Sequence, residues 1–296
     1  MSNSHLKQNF CAILAALIWG SAFVAQSEST LLPFTFNALR SIVAVFVLFI
    51  VIVAFNRKNT INKLKENLKH SLWGGLACGT VLFVASFFQQ LGIYSETSAG
   101  KAGFITALYI VLVPVFGVFI KKKVPLSVWI SVIISVVGLY FLCIKEGFTI
   151  EKGDFYVFLC AIMFAVHILV IDFFVQKTDG VILSFFQFVT VSVLSAICMF
   201  IFDKPLISEI SQNLIPVLYV GIFSSGIAYT LQIVAQKGSN PTVITILLSL
   251  ESVFAVLSGM IILGDIMSVR ETVGCLLMLF AVILAQIPVG KKGKLL

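Results

Sequence analysis

The feature that most constrains this chain is a series of ten apolar runs, each long enough to cross a bilayer as a helix. A hydrocarbon core of about 30 Å takes about 20 helical residues, and runs of this length recur along nearly the whole sequence. The predicted spans are residues 10–26, 34–55, 72–94, 99–120, 126–144, 155–175, 181–202, 214–236, 242–263 and 269–288. We therefore expect an all-α membrane protein with ten transmembrane helices.

The composition excludes an ordinary soluble domain. Hydrophobic residues make up 59% of the chain and charged residues 11%, whereas soluble domains carry about 25% charged residues. The net charge of +7 lies in short clusters between the apolar runs, and no polar segment interleaves basic and aromatic residues. The charge pattern therefore predicts membrane topology and no nucleic-acid partner.

The six cysteines are scattered singly through apolar segments, and no CxxC motif occurs. No cysteine has a histidine at a spacing typical of metal ligands, so the sequence predicts neither a disulfide framework nor a metal site. It predicts no cofactor either.

The first apolar run resembles a signal peptide because Lys7 precedes it and small residues occur within it. No good small-x-small cleavage site lies near Ala25, since Phe23 occupies the −3 position, and nine further spans follow. We therefore expect this run to be retained as the first transmembrane helix.

The lysines and arginines of alternate loops indicate the orientation. With the N-terminus inside, fourteen basic residues fall on the inner face and five on the outer face, and Arg40 lies within a span. The positive-inside rule then places both termini in the cytoplasm. A bacterial inner membrane is the expected setting.

The ten runs divide into two sets of five, residues 1–148 and 149–296. A shift of 143 residues lays Gln89 on Gln232 and Thr106 on Ser249. Because each half has an odd number of spans, the halves enter the membrane from opposite sides. We expect two inverted five-helix repeats around a central cavity, an architecture typical of secondary transporters.

Four segments carry a family resemblance: "ALIWGSAFV" (16–24), "NALRS" (37–41), "TSAGKAGFITALYIVLVPVFGVFI" (97–120) and "LESVFAVLSGMIILGD" (250–265). They resemble the drug/metabolite transporter superfamily, and are most similar to its EamA-type ten-helix members. The resemblance implies a cavity walled by the first four helices of each half, with the fifth helix at the periphery. It also implies export of amino acids, metabolites or drugs, often coupled to protons, or substrate exchange.

The sequence departs from the family pattern at two places. Ser252 stands where members often have a proline after the glutamate of the ninth helix, which leaves a helix break at that position open. The lysines of residues 121–123 replace an acidic residue after the fourth helix, whereas Asp265 keeps it in the second half.

Glu251 lies near the middle of the ninth span, where a charged side chain costs at least about 2.5–3.5 kcal/mol on insertion scales. Ala255 and Ser258 follow it on one helical stripe, and small residues of this kind mark a protein-facing side. The functional interpretation is that Glu251 binds a proton or a cationic substrate group. The alternative is a paired or protonated glutamate that stabilises helix packing.

Arg40 shares a polar stripe of the second helix with Asn37 and Ser41. At 1.5 Å per residue, Arg40 lies about 10 Å deep from one face and Glu251 about 15 Å deep from the other. These depths permit a direct ion pair or a shared zwitterionic substrate, and an arginine that extends towards the headgroups is the alternative.

Further candidates are polar or aromatic residues within spans. His167 could relay protons, or it could be an ordinary hydrogen-bonded packing residue. Amide and phenol groups at comparable depths in both halves suit either substrate binding or helix packing. Besides His167, the candidate set comprises Gln89, Gln90, Tyr229 and Gln232, with Gln187 as a rough counterpart of Arg40 and with Trp19, Tyr109 and Phe164 as aromatic walls.

The resulting prediction is a secondary active transporter of a small polar or amphipathic metabolite, working by alternating access as a monomer or weak homodimer. Its expected partners are the substrate, protons and membrane lipids. The main alternative is a lipid-linked-sugar or lipid flippase of the same superfamily. A membrane-embedded enzyme is disfavoured because the chain has no HExxH and no GxSxG motif.

The predicted topology can be tested with reporter fusions. We expect green fluorescent protein to fluoresce when fused to the C-terminus, and alkaline phosphatase to be active when inserted after residue 148, because the basic residues hold the opposite face inside. The reverse pattern of activities would contradict this orientation.

Overall fold

A computed structural model describes residues 3–55, 59–95, 97, 99–122, 124–144, 151–263 and 267–286. All regular structure in these ranges is helical. The α-helices are α1 (Asn3–Ser27), α2 (Pro33–Phe55), α3 (Asn59–Tyr94), α4 (Ala99–Ala107), α5 (Tyr109–Phe119), α6 (Leu126–Cys143), α7 (Lys152–Val175), α8 (Gly180–Cys198), α9 (Ile207–Gln212), α10 (Leu214–Tyr219), α11 (Tyr229–Gln236), α12 (Pro241–Leu248), α13 (Glu251–Leu263) and α14 (Val269–Ala285). Two π-helical segments, Met199–Asp203 and Val220–Ala228, continue α8 and join α10 to α11.

Helical residues overlap each of the ten predicted runs. Within the described ranges, eight spans are long and apolar enough to cross a membrane: Pro33–Ala54, Leu68–Tyr94, Ala102–Phe119, Leu126–Cys143, Lys152–Val175, Gly180–Asp203, Leu214–Gln236 and Pro241–Ser258. The helices α1 and α14 are outside this set. The chain is therefore a multi-pass integral membrane protein.

The third helix extends further than its apolar run. It begins at Asn59, whereas the predicted span begins at residue 72, and the additional stretch contains Lys63, Lys65 and Lys69. Lysine is a good helix former, so a helix can continue beyond the membrane in a polar segment that hydropathy does not detect. Asp265 and the predicted boundary at residue 148 lie outside the described ranges.

The helices before and after residue 148 interleave. The helix α3 packs against α7 and α8, while α1 and α2 pack against the π-helical segment Val220–Ala228. The helix α1 also contacts α12 and α13, α7 contacts α4 and α5, and α6 packs against α14. Side chains of both parts of the chain therefore meet in the interior.

Glycines permit the closest of these contacts. A methyl group on Gly75 of α3 would lie 2.9 Å from the carbonyl carbon of Phe186 in α8. On Gly221 it would lie 2.7 Å from Cβ of Val43 in α2. Both values are below normal van der Waals separation, so these helix pairs approach as closely as they do because the side chain is a hydrogen atom, as is typical of membrane helix interfaces.

A matched pair of glycine substitutions tests this packing. We expect Gly75→Ala to lower the free energy of unfolding by about 1–3 kcal/mol, because α3 and α8 must move apart to admit the methyl group. Gly103→Ala is the control, since nothing lies within 4 Å of a methyl group there; it should be neutral or stabilising by about 0.5–1 kcal/mol. Equal effects of both in denaturant titrations of detergent-purified protein would contradict the close contact.

Candidate functional site

A cavity with an empty volume of about 540 Å³ lies among helices from both parts of the chain. Eight of the predicted site residues line it: Trp19, Arg40, Gln89, Tyr109, Phe164, Tyr229, Gln232 and Glu251. The remaining lining residues are Ala22, Gln26, Thr106, Ile168, Ser224 and Leu248. The lining thus combines apolar walls with a few converging polar groups, as is usual for small-molecule sites.

Arg40 is the positive group of the cavity. Its side chain is only 4% exposed, and its guanidinium lies over the ring of Phe36, 5.6 Å from the ring centre. It makes no hydrogen bond or ion pair with any residue that the structure describes. Because Arg40 lines the cavity, an anionic or carbonyl group of a ligand could accept its N–H donors there.

Glu251 is the acidic group of the cavity and is 6% exposed. The phenol of Tyr109 donates to its Oε1 at 3.3 Å, a distance that is long for a hydroxyl donor. Within the described ranges, no ion pair joins Glu251 to Arg40. The cavity thus holds one basic and one acidic side chain that do not form an ion pair with each other.

Both residues of the Tyr109–Glu251 contact begin a helix. Tyr109 is the first residue of α5, after a break at Leu108, and Glu251 is the first residue of α13, after a break at Ser249 and Leu250. The break before Glu251 forms without a proline. The chain turns tightly there, with Leu250 N donating to Leu247 O at 3.2 Å, and the hydroxyl of Ser249 donates to Ile246 O at 2.8 Å.

A third departure from α-helical geometry lies on the cavity wall. The π-helical segment Val220–Ala228 contributes Ser224 and leads directly into Tyr229. The hydroxyl of Thr230 donates to Gly226 O at 2.7 Å, which is a side-chain bond that competes with the regular backbone pattern. Such π-helical insertions frequently occur at functional sites.

Aromatic rings form one wall of the cavity. Trp19 packs edge-to-face on Tyr229, with ring centres 4.8 Å apart. The ring of Phe188 also packs edge-to-face on Tyr229, with ring centres 5.5 Å apart. The indole N–H of Trp19 has no hydrogen-bond partner among the described residues. The wall therefore offers both an apolar surface and an unused donor.

Amide side chains supply further polar groups. Gln89 and Gln232 line the cavity, and Oε1 of Gln232 has no partner among the described residues. Gln90 does not line the cavity but accepts a 2.7 Å hydrogen bond from Nε2 of Gln26. Gln26 is not among the predicted site residues, because it is the last residue of the first predicted span, where a polar residue is expected at the membrane surface.

Three predicted residues lie behind the lining. Nε2 of His167 donates to Oε1 of Gln187 at 2.9 Å, and the His167 ring lies 6.2 Å from that of Tyr229. Asn37 is 1% exposed, and neither polar atom of its amide has a partner in the described ranges. Among the described residues, no three side chains of His, Cys, Asp or Glu come together as metal ligands.

A double-mutant cycle tests the His167–Gln187 contact. We expect His167→Phe to lower the free energy of unfolding by about 1–3 kcal/mol, because it leaves the buried amide of Gln187 unsatisfied. Combining it with Gln187→Leu should recover part of that loss, since two apolar groups then face each other. Strictly additive losses in denaturant titrations would contradict a direct interaction.

Comparisons with known proteins agree with this architecture. The model of the EamA-like transporter family matches the chain twice, over residues 6–144 and 151–286. A protein of Archaeoglobus fulgidus described as an "uncharacterized transporter" is 31% identical over 281 residues, which cover 93% of this chain and 84% of the relative. A solved crystal structure superposes with a TM-score of 0.75 at 19% identity, covering 94% of this chain and 96% of the other.

The last comparison shows a shared fold only. The two family matches together span nearly all of the chain, and the archaeal relative aligns over most of both sequences. The chain belongs to the EamA-like transporter family of the drug/metabolite transporter superfamily.

Proposed function

We propose that the chain is a secondary active transporter that moves a small polar or amphipathic metabolite by alternating access. The observation that carries the proposal is the cavity between the two parts of the chain, in which Arg40 and Glu251 lie buried without pairing. Ionisable side chains that are buried inside a membrane without an ion-pair partner are costly in free energy. A substrate that satisfies both groups would offset that cost when it binds.

The proposed architecture has ten spans in two inverted five-helix repeats, residues 1–148 and 149–296. In the proposed repeat, each span corresponds to the span five positions further along the chain, and the main contacts correspond in the same way. The contact of α3 with α8 corresponds to the contact of the π-helical segment Val220–Ala228 with α2. The Gly75–Phe186 contact corresponds to the Gly221–Val43 contact in the same way. The two successive family matches also support a repeat.

Broken helices at the cavity support alternating access. In transporters with inverted repeats, the substrate site lies at the repeat interface and discontinuous helices form it. The breaks before Tyr109 and Glu251 lie in the fourth and ninth spans, which are counterparts in the proposed repeats. The side chains of these two residues are in contact. A movement of one half against the other would therefore alter the site directly.

Hydrogen bonds join the two halves near both ends of the spans. At the start of α2, Thr35 donates from its backbone N and its hydroxyl to Oδ2 of Asp203, at 2.7 and 2.8 Å. Near the start of α1, Nε2 of Gln8 donates to the backbone O of Lys237, which directly follows α11. These two contacts between the halves are the proposed gates, which open in turn.

An amino-acid-like substrate fits the polar groups best. The free guanidinium of Arg40 suits a carboxylate, and Glu251 suits either an ammonium group or a coupling proton. The amides of Gln89 and Gln232 would orient the substrate, and the wall formed by Trp19 and Tyr229 would take an apolar side chain. The proposed setting is a bacterial inner membrane with both termini in the cytoplasm.

Ligand-dependent stability tests binding at the cavity. With purified protein and a panel of amino acids and related metabolites, a ligand at a hundred times its dissociation constant should add about 2.7 kcal/mol to the apparent stability. The gain should be lost in Arg40→Gln, which removes the carboxylate partner. Arg270→Gln is the matched control, because Arg270 stacks on Tyr140 away from the cavity and should leave the gain intact.

Transport in proteoliposomes tests the coupling. With an imposed pH gradient, Glu251→Gln should abolish gradient-driven uptake while the control Glu28→Gln, at an exposed position, behaves as wild type. Normal transport by Glu251→Gln with an unchanged pH profile would contradict a role of Glu251 in coupling. Headgroup-dependent movement of labelled lipid in place of solute uptake would instead favour a flippase.

A further inference from the structure

A second concave site lies on the membrane-facing surface, between α5 and α7, and its empty volume is about 860 Å³. All eight of its lining side chains are apolar. Two of them project strongly outward: Phe119 is 80% exposed and Phe173 is 68% exposed. We call this site the α5–α7 groove.

The groove is separate from the transport cavity. The residues of α7 that line the cavity are Phe164 and Ile168, whereas Leu169, Val170 and Phe173 line the groove. These two sets lie on different faces of one helix, so α7 forms a wall between the two sites. A ligand of the groove therefore does not need the transport route to reach it.

Cationic residues lie at one end of the groove. The last turn of α5 closes with Lys121 N donating to Val118 O and Lys122 N donating to Gly117 O, and Lys121 adopts a positive φ of 61°. This closing motif normally carries glycine at the position of Lys121. The turn places Lys121 directly after the groove residue Ile120.

An ion pair crosses the same end. Nζ of Lys122 contacts Oδ2 of Asp172, which directly precedes the groove residue Phe173. The pair joins the end of α5 to α7 and neutralises Lys122. Lys121 is exposed and has no such partner among the described residues, so its charge remains available to a ligand.

We propose that the α5–α7 groove binds one acyl chain of an anionic phospholipid, whose phosphate pairs with Lys121. Along α7 the groove runs from Val166 to Phe174, which at 1.5 Å per residue is about 12 Å and most of the depth of one leaflet of the hydrocarbon core. The lysines place this end on the basic face of the protein, where anionic headgroups are found. The apolar groove would hold the acyl chain of such a lipid, and Lys121 at its end would pair with the phosphate.

A second copy of the chain is a poorer occupant. A twofold interface built on this groove would bring the same residues of both copies together, including the two Lys121 side chains. Like charges at a membrane interface would then oppose association. A phospholipid instead supplies the opposite charge.

Native mass spectrometry of detergent-purified protein, with phosphatidylglycerol and phosphatidylcholine at equal concentrations, tests the proposal. Wild type should prefer phosphatidylglycerol. In Lys121→Gly that preference should fall about fivefold, since one basic residue near the membrane surface contributes about 1 kcal/mol. Glycine accepts the positive φ, so the helix end stays intact. Lys152→Gln, at an exposed lysine at the opposite end of α7, is the control that should keep the preference.

Two further variants test the groove itself. Val170→Trp fills it and should reduce binding of both lipids several-fold, whereas Val193→Trp, at a position 52% exposed on α8, should not. If Val170→Trp melts early, Phe119→Ala replaces it, because removing this outward ring shortens the apolar wall without disturbing the core. Equal binding of both lipids by wild type, unchanged binding in the groove variants, or cross-linking of two copies through position 119 would overturn the proposal.

Discussion

The absence of water from the bilayer core is the constraint on which this structure depends. A backbone amide or carbonyl without a partner there costs several kcal/mol, so a chain can cross only with its backbone bonds satisfied internally. Helices meet this requirement throughout the described spans. Two departures from α-helical geometry lie where protein surrounds the backbone. One is the break before Glu251, where the hydroxyl of Ser249 bonds to a carbonyl, and the other is the π-helical segment before Tyr229.

The same constraint gives the two buried charges their significance. Desolvation penalises an ion within the membrane unless a counter-charge or polar groups surround it. Arg40 has the face of Phe36, and Glu251 has one long hydrogen bond from Tyr109. Neither arrangement by itself replaces the hydration of a charged group. A zwitterionic ligand or a proton would relieve this, and the proposed transport cycle depends on that relief.

Much of the candidate site could be predicted from the sequence because a polar residue within an apolar run is conspicuous. Arg40, Glu251 and Gln232 were recognisable for this reason, and all three line the cavity. His167 and Gln187 were conspicuous in the same way, but they bond to each other behind the lining. Helical periodicity indicates on which face of its helix a residue lies, but it does not indicate which other helix packs against that face. Gln26 escaped notice because its position at the end of a span resembles an ordinary interfacial residue.

Sequence patterns were enough to establish an all-helical membrane protein, the positions of eight apolar spans and the family. These depend on local hydropathy and on motifs read along the chain, so no knowledge of distant contacts is needed. Only the folded structure shows which polar residues share a cavity, that the chain breaks between α12 and α13 without a proline, and that α5 and α7 leave a groove between them. The cavity and the groove result from residues far apart in sequence that pack against each other, as Gly75 does against Phe186, and a one-dimensional pattern does not encode such approaches.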